Sequence, residues 1–104
     1  MSNIKIQSEY DDLDKYENED GDIIYFKKDS NIIHNSYGPA IIWKNGYKEY
    51  FIYGKRHRLD GPAVIYPNGE ECYYINNQSL SKKKFELHPE RLKYLGKEYL
   101  TCLG

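Results

Sequence analysis

No stretch of about 18 apolar residues occurs anywhere in the chain, so no segment reads as a membrane span. Cysteine is scarce: Cys72 and Cys102 stand 30 positions apart, and neither has a second Cys or a His at metal-ligand spacing. They read as two reduced, packed thiols rather than a disulfide, which places the protein in an intracellular, cytoplasmic setting. Charge of one sign is lacking too. Fifteen basic against 16 acidic residues leave a net charge of -1, so no overall field concentrates nucleic acid or anionic lipid. The opening "MSNIKIQSEYDD" is polar and acidic and lacks the apolar run of a secretory leader. What is abundant is tyrosine: 12 in 104 residues. A tyrosine ring packs while its hydroxyl tolerates water, which suits a half-exposed sheet better than a deep core.

The chain repeats itself. Residues 34–54, "HNSYGPAIIWKNGYKEYFIYG", align with residues 57–77, "HRLDGPAVIYPNGEECYYINN", at an offset of 23, and nine of 21 positions are identical. A half unit precedes them from Gly21, where "GDIIYF" places Tyr25 and Phe26 after a glycine as Tyr50 and Phe51 follow Gly46. Its spacing to the next histidine is longer, which predicts a longer turn there.

Each unit reads as a β-hairpin. "PAIIW" and "PAVIY" are short runs of branched and aromatic residues, and Pro39 and Pro62 open them where a missing N–H costs little. Asn45-Gly46 and Asn68-Gly69 predict type I′ turns. In the returning strands Tyr50 and Ile52 share a face, as do Tyr73 and Ile75. The opposite face carries Glu49, Phe51 and Tyr53, then Cys72, Tyr74 and Asn76. Gly54 and Asn77 suit left-handed turn positions.

Three segments result. Residues 1–20 are acidic and partly loose, with "IKI" at 4–6 a candidate edge strand. Residues 21–78 form the hairpin repeat sheet. Residues 79–104 form a helical cap, in which Ser79 or Ser81 caps a first short helix and Pro89 starts a second, longer one. Leu92, Leu95, Tyr99 and Leu103 make its apolar stripe. The expected fold is mainly β, an antiparallel meander of about five strands followed by a short C-terminal helical segment.

"GKRHRLDGPAVIYPNG" resembles the MORN (membrane occupation and recognition nexus) repeat, at Gly54, Lys55, His57, Gly61, Tyr66, Asn68, Gly69 and Tyr73. The earlier unit resembles it at His34, Gly38, Trp43, Asn45, Gly46 and Tyr50. The likeness spans roughly residues 21–78. The H-R-x-D-G-P-A-x-I form is similar to a variant in uncharacterised proteins of large DNA viruses, phages and some bacteria. The likeness implies a stack of hairpins with an interaction or scaffold role, in or around a virion if the source is viral. It implies no reaction and no cofactor.

Sharper readings compete with that one. His57 and Asp60 could form a general-base dyad, but Ser36 and Cys72 lie in no nucleophile motif. His57 also recurs as His34, which points to a need of the fold. His34, His57 and His88 have no metal-ligand spacing, and "DDLDKYENEDGD" fails as a calcium loop, since Tyr16 and Lys27 stand where ligands belong. Lys55, Arg56, Arg58, Lys82, Lys83 and Lys84 are the candidate anion-binding groups for nucleic acid or anionic lipid. Trp43, Tyr53, Tyr66 and Tyr74, with Arg58 and Asp60, are the candidate protein-interaction surface, since aromatic rings bury much area at low entropic cost. The expected function is therefore a non-enzymatic interaction or structural module, with a homodimer as one way to cover its edges or its aromatic face.

Overall fold

The computed structural model describes residues 3–96. It is mainly β. Ten strands run in chain order: β1 (Ile4–Ile6), β2 (Leu13–Glu17), β3 (Ile23–Lys27), β4 (Ile41–Ile42), β5 (Lys48–Glu49), β6 (Phe51–Ile52), β7 (Lys55–Arg56), β8 (Val64–Ile65), β9 (Glu71–Ile75) and β10 (Gln78–Leu80). Helices α1 (Lys82–Glu86) and α2 (Pro89–Tyr94) follow. One antiparallel sheet has the order β1-β2-β3-β4-β5-β8-β9-β10, and β6 and β7 form a separate hairpin where the chain bends at Tyr50. Five of the eight strands lie between residues 22 and 76, as the repeat predicts. The segment before them is also built, with β1 on β2 and β2 on β3.

The repeat is visible in the hydrogen bonds. Ala40 N donates to Glu49 O and Ala63 N to Cys72 O, both at 2.9 Å. Ala40 O accepts from Tyr25 N and Ala63 O from Tyr50 N, so each alanine is paired on both sides in mid-sheet. Both are fully buried, which leaves room for a methyl group and little more.

The hairpin loops differ from the type I′ expectation. Gly46 N donates to Trp43 O at 3.0 Å and Trp43 N to Tyr47 O at 2.9 Å; Gly69 and Tyr66 repeat this. Gly46 and Gly69 have φ of 103° and 92°, while Asn45 and Asn68 are not left-handed. This is a type I turn followed by a glycine bulge. Pro67 suits the first central position of that turn by its fixed φ, and Lys44 takes the same place in the first hairpin. The asparagines brace the loop instead: Asn45 Oδ1 accepts from Tyr47 N and Asn68 Oδ1 from Glu70 N. The β2–β3 loop is a third copy, with Gly21 N on Asn18 O and Asn18 N on Asp22 O. The truly left-handed pairs are Tyr53-Gly54 and Asn76-Asn77, which turn β6 into β7 and β9 into β10. In the first unit the matching turn lies around Asp29, also left-handed at φ 58°, and accounts for the longer spacing.

In the tail, Ser81 caps α1 by accepting from Lys84 N, and Pro89 opens α2. Gly96, at φ 73°, follows the C-cap Leu95 and ends α2 after six residues. Of the expected stripe, Leu92 lies in α2 and Leu95 at its C-cap; Tyr99 and Leu103 lie outside the described residues, as does Cys102.

Candidate functional site

The two faces of the sheet are treated differently. On one, the equivalent tyrosines of the three units each carry a lid. Tyr10 leans on Tyr25 at 5.9 Å, and the Tyr25 hydroxyl donates to Glu9. The Arg58 guanidinium lies 4.1 Å over the Tyr50 ring. Phe85 of α1 packs 4.7 Å from Tyr73. Burial, and then the Glu9 carboxylate, hold the Tyr25 hydroxyl far above its ordinary pKa.

The other face is covered only in part, since Glu49 and Val64 on it are buried while Trp43 and Tyr66 are not. The register aligns Tyr16, Ile24, Ile41, Glu49, Val64 and Cys72 in one row across it. Tyr16 meets Phe26 edge-on at 5.5 Å. Nearer the hairpin loops, Trp43 packs on Tyr47 at 4.5 Å and Tyr47 on Tyr66 at 5.5 Å. Trp43 is 46% exposed and Tyr66 39%. Glu49 interrupts this apolar row, yet it is buried. It accepts from the Tyr47 hydroxyl at 2.9 Å and pairs with Arg56. Arg56 in turn lies 5.6 Å from both the Phe51 and the Tyr74 rings. Burial first, and then the Glu49 carboxylate, raise the Tyr47 hydroxyl's pKa.

The four aromatic candidates are thus not one strip. Tyr47 joins Trp43 to Tyr66, and Tyr74 sits beside Arg56. Tyr53 stands apart on its turn, against His34 at 4.5 Å with the Lys27 ammonium 4.6 Å from its ring. Tyr47, Phe51, Tyr16 and Phe26 belong to the face and were not singled out by sequence. The signal was present in the alternation Tyr47, Glu49, Phe51, with glutamate masking the pattern. The basic candidates are not gathered either. Arg56 is spent on Glu49 and Arg58 on Asp60, while Lys82, Lys83 and Lys84 belong to the start of α1.

The three positions at which the two connectors differ meet in one cleft. Residues 35–38 and 57–60 line a cavity of about 330 Å³ with Tyr50, Ile52 and Tyr94. Arg58 and Asp60 are turned on each other there: Nε donates to Oδ1 at 2.8 Å, and Arg58 Nη1 reaches Pro62 O at 3.0 Å. One unit earlier Asn35 Nδ2 donates to Pro39 O, also at 3.0 Å. Different side chains do the same job of tying the connector to its proline carbonyl.

Both connector histidines have a backbone partner. His34 Nδ1 accepts from Tyr53 N at 2.9 Å and His57 Nδ1 from Asn76 N at 3.0 Å. Each imidazole therefore locks the left-handed turn of its own hairpin. His57 and Asp60 make no pair, because each is engaged elsewhere. His88 differs: it caps α2 by accepting from Glu90 N.

Gly61 shows how tightly Arg58 is held. A β-carbon there would lie 2.8 Å from the Arg58 Cζ, whereas one on Gly38 would meet nothing within 4 Å. Gly61→Ala should cost about 1 kcal/mol by pushing the guanidinium off Tyr50. The same change made in an Arg58→Ala background should cost almost nothing. A double-mutant cycle by urea unfolding checks this; strict additivity of the two changes would refute the contact.

No family model, no curated protein and no solved structure matches this chain.

Proposed function

We propose that the protein is a non-enzymatic interaction module that presents the open sheet face to a protein partner. The observation that carries this reading is the face itself. Rings of Tyr16, Phe26, Trp43, Tyr47, Phe51, Tyr66 and Tyr74 are spread over one side of the sheet. Monomeric proteins seldom leave apolar patches larger than a few hundred Å² open. The resemblance to MORN repeats supports the same reading, and it alone supports a role in or around a virion. Nucleic acid or anionic lipid is the weaker reading, because Arg56 and Arg58 are already paired.

The test is retention of a partner from the native source by the full chain on a column. Wild type should retain it, and Trp43→Ser with Tyr66→Ser should weaken retention more than about tenfold, as for interface anchors. Equal retention by the variant would remove this reading. In parallel, a salt titration of single-stranded nucleic acid and of anionic vesicles should show no salt-steep binding near physiological ionic strength. A steep slope would favour the weaker reading.

A further inference from the structure

We infer that Asn68 is a site of spontaneous hydrolytic modification, converting through a cyclic imide to aspartate and isoaspartate, and that the stacking of the hairpin loops makes it convert ahead of Asn45. The inference stands apart from the interaction reading, since it concerns the loops and not what the sheet face meets.

The chemistry needs an asparagine followed by a residue without a side chain. The backbone nitrogen of that residue attacks the asparagine Cγ. A new N–Cγ bond closes the imide ring, and the Cγ–Nδ2 bond breaks to release ammonia. Water then adds to either ring carbonyl and opens the ring. The nitrogen leaves as ammonia, the new oxygen comes from water, and nothing is oxidised or reduced. A β-carbon on the attacking residue crowds the first step. Of the eight asparagines, only Asn45 and Asn68 precede glycine. Asn35 precedes the small Ser36, but it is buried and its amide is fixed, with Nδ2 on Pro39 O and Oδ1 on Tyr37 N.

Both Asn-Gly peptides are exposed, and the turn guards each in the same way. Gly46 N is held by Trp43 O and Gly69 N by Tyr66 O. Asn45 Oδ1 is held by Tyr47 N and Asn68 Oδ1 by Glu70 N. Attack requires the glycine nitrogen to lose its proton and the side chain to swing onto it. Both bonds must therefore open first, and local opening sets the rate.

Opening differs because the loops lie side by side. Lys44 N donates to Asp22 Oδ1 of the β2–β3 loop at 2.9 Å, and a β-carbon on Gly21 would lie 3.4 Å from Lys44 Cδ. A β-carbon on Gly46 would lie 3.9 Å from Pro67 Cα. The Asn45 loop is thus held between two neighbours. A β-carbon on Gly69 would meet nothing within 4 Å. β9 runs away from that loop, so the next turn, Asn76-Asn77, lies at the other end of the strand. Pro67 fixes its own φ, but the reaction turns the Asn68 side chain and the Gly69 amide, which it leaves free.

The two products act differently. Aspartate keeps an oxygen for Glu70 N. Isoaspartate routes the backbone through the side chain and adds a carbon to the loop. The bonds of Gly69 N to Tyr66 O and of Tyr66 N to Glu70 O then lose their register.

The experiment uses the purified full chain at neutral pH, folded and, in parallel, in urea. Peptide mapping by mass spectrometry and an isoaspartate-specific methyl-transfer assay follow each site. In urea the two sites should convert at similar rates. In the folded chain Asn68 should convert at least about tenfold more slowly than in urea, and Asn45 at least about threefold more slowly again. Asn68→Asp should fold as wild type by circular dichroism and leave only the slow signal from Asn45. The isoaspartyl chain, separated by ion exchange, should unfold at lower urea than Asn68→Asp, which carries the same charge. Conversion of Asn45 first, or of both sites at one rate, in the folded chain overturns the inference. So does an Asn68 that converts as fast folded as in urea, or one that never converts in the folded chain. An isoaspartyl chain as stable as Asn68→Asp overturns the assigned effect on the turn.

Discussion

Phe85→Ala is expected to lower the stability of the chain by about 3–4 kcal/mol, the cost of truncating a fully enclosed aromatic residue. Phe85 is 2% exposed and is the largest fully buried side chain among the described residues. It is the one residue of α1 that is buried. Its ring lies on Tyr73 at 4.7 Å, and the Arg91 guanidinium covers it at 4.8 Å from the next helix. A five-residue helix has no stability of its own in water, so α1 is held by this one anchor and by its Ser81 cap. Losing the ring removes the lid from Tyr73, the support of Arg91 and the reason for α1 to stay on β9. Phe85→Leu keeps much of the volume and should cost about half as much. Urea unfolding followed by tyrosine fluorescence measures both. A loss below about 1 kcal/mol for Phe85→Ala would show that the C-terminal helices do not help hold the sheet.

That anchor was only partly legible in the sequence. The repeat, the two central hairpins, the Ser81 cap, the Pro89 helix start and the edge strand at residues 4–6 could all be read from spacing and turn residues. These are local signals, and local chemistry decides them. What escaped the reading depends on contacts between distant residues. β2 carries a charge on the side where an apolar residue would show a period. Asp14 is buried because Lys5 and the Asp29 amide, 15 residues away, satisfy it. Glu49 hides the alternation of β5 and β6 for the same reason, with Tyr47 and Arg56 as its partners. The hairpin type was missed because Asn-Gly is compatible with two turns, and the pair alone does not decide between them. The cleft could be guessed at only as a list of non-repeating residues. Two of them, Arg58 and Asp60, proved to be occupied with each other, and Tyr37 stacks on Tyr10 at 4.3 Å while its hydroxyl donates to Asp12, which leaves Ser36 and Leu59 to give the connectors individual character.

The recurring histidine, by contrast, is legible once its partner is known, and it carries the second large effect. Replacing both His34 and His57 with phenylalanine should cost about 3 kcal/mol in total, with each change stranding one backbone N–H that loses its acceptor. The sites are separate turns of separate hairpins, so the two losses should add. The wild-type chain should also lose stability on mild acidification. Each imidazole accepts at Nδ1, so each is neutral with its proton on Nε2. Burial is the main cause that holds the His34 pKa below its ordinary value, with the Lys27 charge adding to it and Asp12 opposing. Burial leads for His57 too, with Glu90 opposing and His88 reinforcing. A native pKa below the unfolded one means that the unfolded chain binds more protons between the two values. Stability from the histidines is therefore complete above about pH 6.5, falls as pH drops through that point, and stops falling below the native pKa. The slope in that window is at most about 1.4 kcal/mol per pH unit for each histidine. Unfolding free energies for wild type and the double variant, measured from neutral pH down to the range where carboxylates begin to titrate, separate this from other causes. The double variant should be weaker at neutral pH and flatter across the window. An unchanged slope would mean that the imidazoles hold the turns by packing alone, and that the acceptor role of Nδ1 contributes nothing to why histidine recurs every 23 residues.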